Sequence, residues 1–110
     1  MVLREDVLGE IAVLEIAGRV DSTTASTLGE KLTGMLAARK ALVLDLRQLE
    51  YISSAGFRVL LLAAKQADAT GRRLALSGMA PKVRQLFDLG GFLDFFLISA
   101  SRDEAIAAVG

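Results

Sequence analysis

Leu42-Val43-Leu44-Asp45-Leu46, a short connection, and then Ser53-Ser54-Ala55-Gly56-Phe57-Arg58-Val59-Leu60 are the segment around which the architecture can be worked out. The first part has one polar residue, Asp45, in an otherwise apolar run, the mark of a strand covered on both faces. The second puts two hydroxyls at the head of an Ala- and Leu-rich helix that ends at Gly71. At a helix start the first backbone N–H groups lack an intrahelical partner and the dipole is positive. Either serine therefore suits a cap, and the same place suits a phosphate.

Upstream, Leu3 to Val7 and Ile11 to Ala17 read as strands around Leu8-Gly9-Glu10, a turn short enough for an antiparallel hairpin. Gly18-Arg19-Val20-Asp21 turns the chain. Asp21 or Ser22 then caps a helix to about Ala38, with Ala25, Leu28, Leu32, Met35 and Leu36 on one stripe. Downstream, Leu74 to Ser77 form a strand, and Pro81 opens a helix whose inner stripe is Val83, Leu86 and Phe87, stopping at Gly90-Gly91. Phe95 to Ser99 are a last strand, and Ser101 with Glu104 makes a capping box for a final helix. The predicted order is ββαβαβαβα. This is an α/β fold with a mixed, mostly parallel sheet and helices packed on it.

A chain of 110 residues is one domain, residues 1–110. It has no cysteine and no histidine, which excludes thiol and imidazole nucleophile chemistry, thiolate zinc sites and disulfides. Thirteen basic residues balance thirteen acidic ones, so no strong field marks a nucleic-acid or membrane-surface binder. Every apolar run is broken well before the roughly 20 residues a membrane-spanning helix needs. Met1 to Asp6 lack the features of a secretory signal, and a cytoplasmic location is expected.

No phosphate-binding glycine loop is present, and a hydrolase elbow would want a histidine. Lys65 cannot activate Ser54, because eleven helical residues separate them by roughly 16 Å. No clustered acidic pattern suggests a cation. The expectation is a protein without catalysis, cofactor or metal.

The helix after Ser54 carries more information. Gly56, Val59, Leu60, Ala63, Ala64 and Ala67 repeat at helical spacing as the buried stripe. Ser54, Phe57, Arg58, Leu61, Lys65 and Asp68 share that spacing on the opposite side. Phe57 and Leu61 are then either apolar residues open to a docking partner or residues covered by a neighbouring loop.

Taken together, the element order, the Gly18-Arg19-Val20-Asp21 turn, Leu44-Asp45-Leu46, Tyr51 to Leu60 and Leu86-Phe87-Asp88-Leu89-Gly90-Gly91-Phe92 resemble the STAS domain. More closely, they resemble the bacterial anti-sigma factor antagonists of the SpoIIAA and RsbV type, over nearly the whole chain. The resemblance implies a partner switch. The unphosphorylated antagonist binds an anti-sigma factor that is also a serine kinase, which frees a sigma factor. Phosphorylation of a serine at the start of the second helix releases it, and a metal-dependent serine phosphatase restores it. By position the acceptor is Ser54, with Ser53 as second choice, since many members have an aspartate where this chain has Ser53. Asp21 matches an aspartate near the acceptor, and the helix face with Phe57, Arg58 and Leu61 matches the docking surface. A monomer or weak dimer is expected. The alternative is a STAS adaptor or scaffold in another signalling or transporter complex, without phosphorylation.

Overall fold

In the computed structural model, which describes residues 1–110, a two-residue turn at Gly9-Glu10 returns Val2–Leu8 (β1) against Ile11–Val20 (β2) as an antiparallel pair. The chain continues through Ala25–Ala38 (α1), Ala41–Asp45 (β3), Leu49–Ile52 (β4) and Ser54–Ala69 (α2). Arg73–Ser77 (β5), Pro81–Leu89 (α3), a 3-10 turn at Leu93–Phe95, Leu97–Ser99 (β6) and Arg102–Val109 (α4) complete it.

The sheet order is β1-β2-β3-β5-β6, parallel apart from the opening hairpin. This is the α/β class and mixed sheet expected, with one strand more. The segment read as a short connection contains β4, which pairs in parallel with the far half of β2. Four residues are too few for periodicity to declare a strand. β4 exists because β2 runs on to Val20 rather than turning at Gly18. Gly18 adopts φ +86° where the register of β2 against β4 shifts, so β3 accompanies the first half of β2 and β4 the second. A left-handed φ at such an irregularity favours glycine.

Alternation along the strands divides the core. Leu14 and Ile16 of β2, Leu42 and Leu44 of β3 and Leu76 of β5 face α1, α2 and α3. Val13, Val43 and Ala75 face the other way and are covered by Ala105 and Val109 of α4. Beside that smaller cluster lies Asp45, fully buried at the end of β3. Its carboxylate accepts from Arg47 Nε at 3.2 Å, from the Arg47 backbone N–H at 3.1 Å and from Arg102 Nε at 3.0 Å. Arg102 Nη2 also reaches Glu15 at 3.4 Å, so the first residue of α4 is tied to β2 and β3 together. Burial alone would raise the Asp45 pKa. The hydrogen bonds from Arg47 and Arg102 outweigh it and hold the carboxyl below the usual carboxylate range.

Candidate functional site

The parallel pairing of β2 and β4 ends with Val20 opposite Ile52. Asp21 and Ser53 therefore leave the sheet side by side, and the Ser53 N–H donates to the Val20 carbonyl at 2.9 Å. Each then begins a helix approach.

On the β2 side, the capping expected of Asp21 or Ser22 is corrected. α1 starts later, at Ala25, and its cap position, Thr24, makes no side-chain cap bond. Asp21 instead closes a local turn: its Oδ1 accepts from the Thr23 N–H at 2.9 Å and the Thr23 hydroxyl at 2.7 Å, and its own N–H donates to Thr24 Oγ1 at 3.0 Å. The Thr23 hydroxyl is the main reason that the Asp21 carboxyl lies below its ordinary pKa. Asp21 thus stays a charged residue beside the start of α2.

On the β4 side, the two serines divide the work. Ser53 is the cap, with extended backbone, and its Oγ accepts from the Gly56 N–H at 3.3 Å. Ser54 is the first helical residue and is exposed. The N–H groups of Ser54 and Ala55 have no intrahelical acceptor by position. Gly56 brings this helix start onto the sheet. A Cβ there would lie 2.6 Å from Ile52 Cγ1 and 2.9 Å from Val20 Cγ1, so only glycine permits the approach.

The expected outer face of α2 needs one correction. Phe57 is buried, with 7% of its surface exposed. Its ring stacks on Phe92 at 4.5 Å and meets Phe87 edge-on at 4.8 Å. Phe57 lies about 100° round the helix from Gly56, at the border of the buried stripe. The segment after α3 folds over that border, which is the covered alternative. Leu61 is half-buried, while Ser54, Arg58 and Lys65 are exposed. Leu62, absent from the face expected on sequence grounds, is 59% exposed, and Phe95 is 64% exposed. Arg58, Leu61, Leu62, Lys65 and Phe95 line one shallow cavity of about 340 Å³. In the run Leu60-Leu61-Leu62 helical geometry lets only one leucine point inward, a signal by which Leu62 was readable. Nothing local marked Phe95, whose position depends on the turn at Leu93–Phe95.

No helix is long and apolar enough to cross a membrane, and no group of three or more acidic residues is placed to hold a metal ion.

Comparison with known proteins agrees with this architecture. The STAS domain family matches residues 4–105. BtrV of Bordetella bronchiseptica, described as a candidate anti-sigma factor antagonist, is 38% identical over 109 residues, 98% of this chain and 94% of its own. The anti-sigma-B factor antagonist of Bacillus subtilis is 29% identical over 93 residues, 84% of this chain and 85% of its own. Among solved structures, the anti-sigma factor antagonist SpoIIAA in its unphosphorylated form has a TM-score of 0.82 at 19% identity, covering 98% of this chain and 96% of its own. SpoIIAA in its phosphorylated form has a TM-score of 0.74 at 19% identity, covering 99% and 100%. At that identity the structural likeness speaks for the fold, and none of these names describes an enzyme. With the family match spanning nearly every element and BtrV similar along the whole length, the chain belongs to the STAS domain family.

Proposed function

We propose that this protein is a cytoplasmic anti-sigma factor antagonist. Through the outer face of α2 it binds an anti-sigma factor serine kinase, so that a sigma factor is freed, and phosphorylation of Ser54 switches it off. A serine phosphatase acting on the modified form resets it. The observation that carries the reading is the division of labour at the helix start: Ser53 Oγ is committed to the cap while Ser54, one residue on, is exposed. The names of BtrV and the B. subtilis relative support the class of partner.

The chemistry asked of the chain is small. The Ser54 oxygen attacks the γ-phosphorus of ATP held by the kinase, the bond from that phosphorus to the bridging oxygen breaks, ADP leaves, and the hydroxyl proton passes to a base of the kinase. The product adds about 1.5 to 2 negative charges at the N-terminal end of the helix face that carries Arg58, Leu61 and Leu62. Docking would have to desolvate that dianion, with the Asp21 carboxylate nearby adding repulsion. A tenfold loss of occupancy needs only about 1.4 kcal/mol. Asp21, Ser54, Arg58 and Leu61, joined by the exposed Leu62, form the proposed contact set. Phe57 belongs to it indirectly, as the buried support of the face.

The test is phosphate incorporation from labelled ATP with an anti-sigma factor serine kinase of the same genome. Wild type and Ser53→Ala are expected to be modified and Ser54→Ala is not. Label that persists in Ser54→Ala rules out the acceptor, and a kinase that neither binds nor modifies the wild type rules out the switch.

A further inference from the structure

We propose that Arg58 is the internal counter-ion of Ser54 once that serine carries a phosphate. Modification then does two things to the docking face: it adds a dianion and withdraws the free guanidinium. The inference rests on Ser54 as the acceptor and concerns the state of the face once that residue is modified.

Ser54 and Arg58 are both exposed and stand four residues apart on α2. On a helix that spacing sets their Cβ atoms about 5 to 6 Å apart, with the acidic partner N-terminal to the basic one, the more favourable order. A guanidinium on this tether reaches the phosphate oxygens, and its planar fork suits two of them at once. Arg58 is also uncommitted. Lys31, Lys40, Arg47 and Arg102 each hold a carboxylate, whereas Arg58 takes part in no ion pair.

The other charges around the helix start do not compete for the role. Asp21, beside Ser53, repels a phosphate. Arg19 lies over the Tyr51 ring at 4.4 Å and lines a separate groove with Arg47, Glu50 and Lys82. Lys65 is three turns further along α2, and between Ser54 and Leu61 Arg58 is the one charged residue. In the unmodified protein its guanidinium stands free beside Leu61 and Leu62, ready for an acidic group on a partner. In the modified protein the same group is held by the phosphate.

The experiment installs phosphoserine at position 54 of the full chain during translation, which needs no kinase, and tracks the phosphorus resonance against pH at low ionic strength. With Arg58 present the second ionisation of the phosphate is expected about 0.3 pH unit or more below that of the Arg58→Gln variant. Arg58→Lys should recover part of the difference, and added salt should shrink it. Superimposable titrations of wild type and Arg58→Gln overturn the clamp. That failure is distinct from failure of the proposed function, which is decided by kinase labelling of Ser54→Ala.

Discussion

Replacing Gly56 by alanine tests whether the helix that carries Ser54 is positioned by close packing on the sheet. The added methyl would sit 2.6 Å from Ile52 Cγ1 and 2.9 Å from Val20 Cγ1. Both neighbours are buried, at 3% and 1% exposure, and both are β-branched, so neither swings aside cheaply. Overpacking of this kind costs about 1 to 3 kcal/mol. Against it stands the better helix propensity of alanine, about 1 kcal/mol at most and less in a first turn. The net expectation is a loss of about 1 to 2 kcal/mol. Gly34 in α1 supplies the control, because a Cβ there meets nothing within 4 Å. Gly34→Ala should stabilise by up to about 1 kcal/mol through propensity and the loss of unfolded-state freedom. The two variants have identical composition and opposite expected signs. In urea unfolding monitored by circular dichroism, with a slope of about 1.5 kcal/mol/M, their midpoints should differ by about 0.7 to 2 M. A Gly56→Ala midpoint at or above the wild type would contradict close packing as the positioning force, since it would mean that α2 can retreat from the sheet without cost.

Three further predictions address the buried residues Asp45 and Phe57 and the exposed Leu62. The Asp45 carboxyl is held below its ordinary pKa in the fold, so in acid the unfolded chain binds the additional proton. The resulting stability is complete well above the unfolded value of about 3.9 and is lost as pH falls through the lower folded value. Urea midpoints measured from pH 7 down to pH 3 should therefore fall more steeply for wild type than for Asp45→Asn; parallel profiles would remove Asp45 as a source of acid sensitivity. Phe57→Ala should cost about 3 to 4 kcal/mol, because it removes the ring between Phe87 and Phe92, whereas Leu62→Asp should leave the stability within about 0.5 kcal/mol of wild type and abolish binding to the proposed anti-sigma partner. Thermal melts and a binding titration separate these outcomes: a stable Phe57→Ala would mean that the aromatic cluster carries no weight, and a Leu62→Asp variant that binds normally would place Leu62 outside the interface.

Much of the site was legible because its signals are local. A hydroxyl pair before an apolar-periodic run marks a helix start whatever the rest of the chain does, and the period of α2 sorted Ser54, Arg58 and Lys65 from Gly56, Leu60 and Ala63. Asp45 stood out as the one polar residue of an otherwise apolar strand, although nothing near it announced Arg102 as its partner, 57 residues later. Phe57, read on the outer face as either open to a partner or covered by a loop, was left undecided because it sits on the border of the stripe. Periodicity assigns the centre of a helix face, and the fate of a border residue depends on which distant segment arrives there. β4 was missed for a related reason: its strand character comes from its partner, the far half of β2, and not from its own four residues.

The α/β class, the mixed sheet opened by a hairpin, and a helix start bearing two serines were all set by residue order alone, because spacing and local propensity act over a few residues. Which of the two serines is committed to the cap, and which is left in water, was settled by the folded arrangement. The same is true of Gly56, required by the closeness of Val20 and Ile52, and of Phe57, which supports the face from beneath. These outcomes arise from contacts between segments far apart in the chain, where packing density and hydrogen-bond satisfaction leave one arrangement and local preference allows several.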